Sequence, residues 1–568
     1  MTSRSFLRYA SVLVLGLGAC SLAQSSAPRT TSETQARRPA PRGPAPAVKT
    51  AAVAKKADST VASRAAPARP PKATPPAKPK PADKYGQTAK LERKAPAPPP
   101  PAEPVAVDGD FEGRADFRYN EPTDTREDRL STFAVDVDTA AYSIARRTLG
   151  ADRMPTSSLV RVEEFLNYFK YAYGAPRADG ELFTIEADGA RSPVDDTKHI
   201  MRVGIQAKSL DRQTRKPVNL VFLVDTSCSM TSGDKLALAQ KSLALTVDQL
   251  SERDQVAITT YAGGVRLVLP PTSGDQKEKI HAALRGLRTG GGTAMASGMT
   301  LAYQQAAKML SDDSVTRIIV CSDGDANIGA TSPHKILESI QGYVKEGVFL
   351  STIGFGDGNY KDAMMEQLAN KGNGNYFYID SMRMAERVFA RDFTKMVQDV
   401  AQDVKIQVEF DPTKVASYRL VGYENRDVAD ADFRNDAVDA GEIGAGHQVT
   451  ALYELTLKPG ADGHLATVRV RAKQPRGTKA REVALAVPMN VVDVPFTKAP
   501  DGMRFATAVM GGAELLRKSP FAEAWTYARV VSIASDTNPN WDPDRTEFIS
   551  LMKKAAWLSG EQRAVGLR

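Results

Sequence analysis

Cysteine is nearly absent from this chain: three residues in 568, at positions 20, 228 and 321. Three thiols do not make a disulfide framework, so stability has to come from a buried apolar core. Cys228 and Cys321 are expected to be small, buried, unbridged residues, because a bridge demands a specific separation and orientation. Histidine is almost as scarce, with five residues scattered at 199, 281, 334, 447 and 464. That scatter argues against an imidazole-rich zinc or copper centre. Apolar runs long enough to span a bilayer, roughly 18 residues or more, are missing as well. What is present is an ordinary globular composition, 42% hydrophobic and 25% charged, in a chain long enough for two or three domains.

The charge is unevenly placed. Residues 21–105 hold 18 of the 35 prolines and sixteen Lys or Arg against five Asp or Glu. Such a segment forms neither helix nor sheet and reads as a semi-rigid tether. Taking its excess of eleven, and Arg4 and Arg8, from the overall +8 leaves −5 for the remainder. A body without basic excess is a poor partner for nucleic acid. The basic tether suits either adhesion to an anionic envelope surface or a solvated spacer whose lysines only keep it soluble.

The first twenty residues, "MTSRSFLRYASVLVLGLGAC", place two arginines before a short apolar stretch that ends in small residues, the layout of a secretory leader. Leu17-Gly18-Ala19-Cys20 resembles the bacterial lipobox. That likeness implies that Cys20 becomes the acylated first residue of a lipoprotein, and Ser21 implies sorting to the outer membrane.

From 217 to 404 short apolar runs alternate with helical periods. "VNLVFLVD", "QVAITTYA", "VRLVLPP", "VTRIIVCSDG", "VFLSTIGFG" and "GNYFYID" read as six strands. Between them Leu236, Leu243, Val247 and Leu250 fall on one helical stripe, and "SMRMAERVFARDFTKMVQDVAQDV" reads as a closing helix. The fold expected is α/β: a doubly wound, mostly parallel six-stranded sheet with one antiparallel edge strand, hairpin-linked through Gly263-Gly264. A small α+β region precedes it, and a β-rich then helical region follows. The boundaries expected are 1–20 leader, 21–111 tether, 112–200 N-terminal region, 201–404 central domain and 405–568 C-terminal region.

Ligands of doubly wound sheets sit beyond the carboxyl ends of the strands. Three loops bring oxygen there: Asp225-Thr226-Ser227-Cys228-Ser229, then Thr293 after three glycines, then Asp323 after "RIIVC". An all-oxygen set of this kind suits a hard cation, Mg²⁺ first and Mn²⁺ or Ca²⁺ after it. Hydroxyls are neutral, so an ion held by two carboxylates can accept a third from another molecule.

In this order and spacing, D-x-S-x-S, a Gly-Gly-Thr threonine and an Asp-Gly after an apolar strand resemble the metal-ion-dependent adhesion site of von Willebrand factor type A domains. Asp225, Ser227, Ser229, Thr293 and Asp323 match its five positions. The resemblance implies that the two serines bind the ion directly. It implies that Thr293 joins or leaves the shell with the domain's state, and that the aspartates bind directly or through water. "FAVDVDTAAYSIARRTL" and "RVEEFLNYF" resemble the N-terminal region of bacterial lipoproteins of this type, and the segment beyond 405 resembles their C-terminal domain of unknown function.

The function expected is a non-enzymatic, Mg²⁺-dependent protein-binding module on the bacterial envelope, a partner's acidic side chain completing the ion's shell. The alternatives are a metal-dependent hydrolase, for which no general base is evident, and an envelope scaffold with a structural ion. Asp136 and Asp138, in "FAVDVDTA", are expected to cap the following helix. Asp323, Asp325 and Asn327 do not complete an EF-hand, since His334 stands where its glutamate belongs.

Overall fold

Residues 119–176, 180–292, 294–324, 342–356 and 362–561 are described by a computed structural model. The leader with Cys20, the tether, Thr293 and most of the helix expected around 333–347 lie outside them. In chain order the elements begin with β1 (Thr123–Asp124), β2 (Leu130–Ala134), α1 (Ala140–Gly150), α2 (Val162–Tyr168), β3 (Phe183–Arg191) and β4 (His199–Ala207). The central part holds β5 (Val218–Asp225), α3 (Lys235–Gln249), β6 (Gln255–Tyr261), β7 (Val265–Ser273), α4 (Lys277–Arg285) and α5 (Met295–Met309). It continues with β8 (Val315–Ser322), β9 (Val348–Phe355), α6 (Asp362–Lys371), β10 (Tyr376–Ile379), α7 (Met382–Glu386) and α8 (Phe393–Val397). The last part runs through β11 (Asp399–Phe410), β12 (Val415–Val421), β13 (Gly441–Gly444), β14 (Gln448–Leu457), β15 (His464–Lys473) and β16 (Ala480–Pro488). It ends in α9 (Asp501–Leu516), α10 (Tyr527–Asp536) and α11 (Pro543–Leu558).

The six strands read from the apolar runs pair into one sheet in the order β10-β9-β8-β5-β6-β7. All neighbours are parallel except β7, which returns antiparallel to β6 with Tyr261 opposite Val265. Every residue of β5 is buried because both faces are covered. Leu220, Phe222 and Val224 pack with Leu236, Leu243 and Val247 of α3. Val221 and Leu223 point the other way, toward Met295, Met299 and Ala302 of α5. Alternate residues of one strand thus feed two cores, as the period of two requires.

The regions before and after this sheet are not separate. Strand β4 pairs with β14, Met201 opposite Tyr453, and β2 pairs with β11, Phe133 opposite Ile406. One antiparallel sheet runs β1-β12-β14-β4-β3, and a second runs β13-β11-β15-β16 with β2 also on β11. Their shared core includes Phe133, Met201, Val203, Ile406, Val408 and Tyr453. Boundaries at 200/201 and 404/405 therefore fall inside β4 and β11. The central sheet is an insertion in a frame built from both ends, and Pro100–Arg568 forms one compact unit.

Three further expectations need correction. The stretch 381–404 is not one helix: α7 passes through a π-helical turn at Arg387–Arg391 into α8, and residues 399–404 are strand, drawn into the sheet by β15 and β13. Cys228 and Cys321 are both free thiols, but only Cys321 is buried; Cys228 is exposed. Asp136 and Asp138 do not cap α1. Asp136 pairs with Arg426 at 3.0 Å, and Asp138 accepts a hydrogen bond from the Tyr376 backbone N–H at 2.9 Å.

Candidate metal centre

Strand β5 sets the first carboxylate. Asp225 is its last residue and is fully buried. Burial and the nearby charge of Asp323 raise its pKa, against hydrogen bonding from Ser227. The Ser227 backbone N–H donates to Asp225 Oδ1 at 2.8 Å, and the Ser322 hydroxyl donates to Oδ2 at 3.2 Å. These two bonds fix the plane of the carboxylate. The hydroxyls of Ser227 and Ser229 then stand 2.8 Å apart.

Strand β8 sets the second carboxylate. It lies parallel to β5 with Cys321 beside Val224, so Asp323 leaves the sheet next to Asp225. The glycine loop is zipped onto the first by backbone bonds: Gly290 N–H to Thr226 C=O at 2.8 Å, and Cys228 N–H to Gly291 C=O at 3.2 Å. Gly291 has φ +89°, and a methyl group there would lie 2.7 Å from the backbone N of Gly263. Only glycine permits both the left-handed backbone and that approach. Of the five residues read from the sequence, Asp225, Ser227, Ser229 and Asp323 thus gather at the carboxyl edge of the sheet. Thr293 lies outside the described residues.

Two groups were not read from the sequence. Ser322 is one. The other is Lys235, whose ammonium donates to Asp323 Oδ2 at 2.9 Å and to the Ser229 C=O at 3.2 Å. A cation in the first position of a helix opposes the helix dipole, and that was the signal available to find it.

The donor set fits a hard divalent ion. Magnesium–oxygen bonds of about 2.1 Å put neighbouring corners of an octahedron roughly 3 Å apart, and the two serine hydroxyls are already spaced as such an edge. Asp225, Ser227 and Asp323 are buried and Ser229 is half-buried, so two carboxylates and two hydroxyls face the cup as hard oxygen donors. A cavity of about 320 Å³, lined in part by Lys170, Arg387, Asp392, Lys395 and His447, includes none of these residues.

Comparison with known proteins identifies the family. Residues 219–391 match the von Willebrand factor type A domain, and 111–202 match the von Willebrand factor family model. Residues 395–464 and 458–558 match the C-terminal region of YfbK. Uncharacterized protein YfbK of Escherichia coli (strain K12) is 38% identical over 454 residues, 75% of this chain and 78% of that protein. The chain belongs to the von Willebrand factor type A family, in the group of YfbK.

The von Willebrand factor type A part also resembles inter-alpha-trypsin inhibitor heavy chain H4 of Homo sapiens, 32% identical over 201 residues, 34% of this chain but 20% of that one. A solved von Willebrand factor type A structure from Catenulispora acidiphila aligns over 67% of this chain and 88% of its own, with 16% identity and a TM-score of 0.39. Von Willebrand factor type A domains commonly bind a divalent metal at such a site and mediate protein–protein interaction.

Proposed function

We propose that this protein is a non-enzymatic binding module that captures a protein partner through a Mg²⁺ ion held by Asp225, Ser227, Ser229, Thr293 and Asp323. The observation that carries this reading is the convergence of four of those residues at one sheet edge, with serine hydroxyls 2.8 Å apart. Neutral hydroxyls and a partly compensated pair of carboxylates leave a bound divalent ion short of negative charge. An acidic side chain of the partner supplies it, and the surrounding loops choose which partner presents it.

The same reading puts the module on the bacterial envelope: lipid on Cys20 holds it to the outer membrane, and the basic, proline-rich tether spaces it and lies against anionic surface. Labelling with radioactive palmitate is expected in the wild-type chain and lost in Cys20→Ala. Proximity labelling in the native cell tests the binding role. Partners enriched by the wild type are expected to vanish in Asp225→Ala and on chelation with EDTA. Enrichment unchanged by both treatments removes the ion-dependent mechanism.

A further inference from the structure

Lys235 stands in the wall of the ion cup. Its side chain is 9% exposed and that of Asp323 is 1% exposed, with 2.9 Å between ammonium and carboxylate. The ammonium also reaches the carbonyl of Ser229, the residue that supplies one of the two hydroxyls. Opposite it, Gly356 has φ +105°, and a methyl group there would lie 3.1 Å from Lys235 Nζ and run into the aliphatic stem. The backbone after β9 has therefore been cleared to let this lysine lie flat against the cup. Its place in the helix adds to the case. Lys235 opens α3, where the dipole favours an acid, so the position gains nothing from helix formation. Local rules broken without local compensation are a mark of functional positions.

We propose that Lys235 is an affinity-determining residue of the metal centre: a built-in counter-cation that competes with the divalent ion for Asp323 and keeps the loaded site net positive. This rests on the ion-dependent reading above and deepens it. Among the described residues of the cup, Asp225 and Asp323 offer two negative charges, and Lys235 cancels one. A divalent ion in the cup then leaves an excess of one positive charge, whereas without the lysine the same cup would be neutral. The lysine makes the ion alone bind more weakly and gives the loaded site its demand for an external carboxylate. Affinity for the ion is given up for affinity toward the partner's acid. Charge at a few ångströms in a buried site is strong enough to matter at this scale.

The test uses the full chain and Mn²⁺ alone, with free ion read by electron paramagnetic resonance. Lys235→Met is expected to bind Mn²⁺ at least tenfold more tightly than wild type, about 1.4 kcal/mol. Lys235→Arg, which keeps the charge, is expected to stay near the wild-type affinity. Lys235→Gln keeps a donor to Asp323 without the charge, is expected to follow the methionine variant, and decides the matter if that variant does not fold by circular dichroism. Wild-type affinity, or weaker, in the neutral variants overturns the role of Lys235 while leaving the ion site intact. Wild type that takes up no Mn²⁺ removes the ion-dependent reading and this inference together.

Discussion

Arg317 of β8 donates to Asp399 Oδ2 of β11 at 2.8 Å, with both side chains buried, and so joins the inserted sheet to the frame. Burial raises the pKa of Asp399 in spite of that partner, and burial followed by the charge of Asp399 raises that of Glu442. Arg317 is thus the cation that makes this acidic corner tolerable. Arg317→Met is expected to destabilise the protein by roughly 3–5 kcal/mol, the usual cost of orphaning a buried charge. Urea unfolding at pH 7 checks it, and a loss under about 1 kcal/mol would contradict the assignment.

Glu163 gives the frame a pH dependence. It is buried, its Oε2 has no hydrogen-bond partner among the described residues, and burial followed by the charge of Glu424 pushes its pKa up to about 8. A raised carboxyl pKa favours the protonated folded form. Its stabilising effect is complete below about pH 4.5 and is lost as pH rises toward about 8. Glu163→Gln is expected to flatten that decline. Measured by denaturant titration, its advantage over wild type should grow between pH 5 and 8, to on the order of 1–3 kcal/mol.

Mg²⁺ is expected to raise the melting temperature of the wild type and not of Asp225→Ala. Ion at a hundredfold excess over its dissociation constant stabilises by about 2.7 kcal/mol. Differential scanning fluorimetry with Mg²⁺ or with EDTA reads the effect. Equal shifts in the two proteins would place the ion elsewhere.

Gly291→Ala is expected to uncouple the loops. Its φ of +89° and its approach to Gly263 cannot be kept with a side chain, at a local cost of about 1–3 kcal/mol. The Mg²⁺-dependent shift in melting temperature should shrink or disappear while far-ultraviolet circular dichroism stays that of the wild type.

The two free thiols of the folded part are expected to differ in reactivity. Cys228 is exposed at the rim of the cup, and Cys321 is buried with a thiol pKa pushed well up by that burial. Iodoacetamide followed by peptide mapping should modify Cys228 in the native protein and Cys321 only after unfolding.

Much of the central sheet was legible because its signals are local. The runs that became β5, β6, β8 and β9 are short, apolar and closed by loops, and the stripe from Leu236 to Val247 has a helical period that nothing nearby contradicts. Asp225, Ser227, Ser229 and Asp323 could be read because loops at one sheet edge must converge. Lys235 could not, because its pairing with Asp323 spans 88 residues and depends on the space left by Gly356. The frame was hidden for the same reason. Nothing in residues 130–134 states that they will pair with 405–409, and the stretch 399–404 has helical company until β15 draws it into a sheet. Cys228 was misjudged because a small residue between Ser227 and Ser229 follows the loop surface, not the core.

Interleaving of strands from before and after the inserted sheet imposes an order on biosynthesis. Met201 must wait for Tyr453 before its strand has a neighbour on that side. At about 5–20 residues per second this leaves a nascent edge open for roughly 10–50 s, long enough for unwanted strand addition unless something holds it. A premature stop after residue 397 would then yield an insoluble fragment, however well the inserted sheet could close by itself.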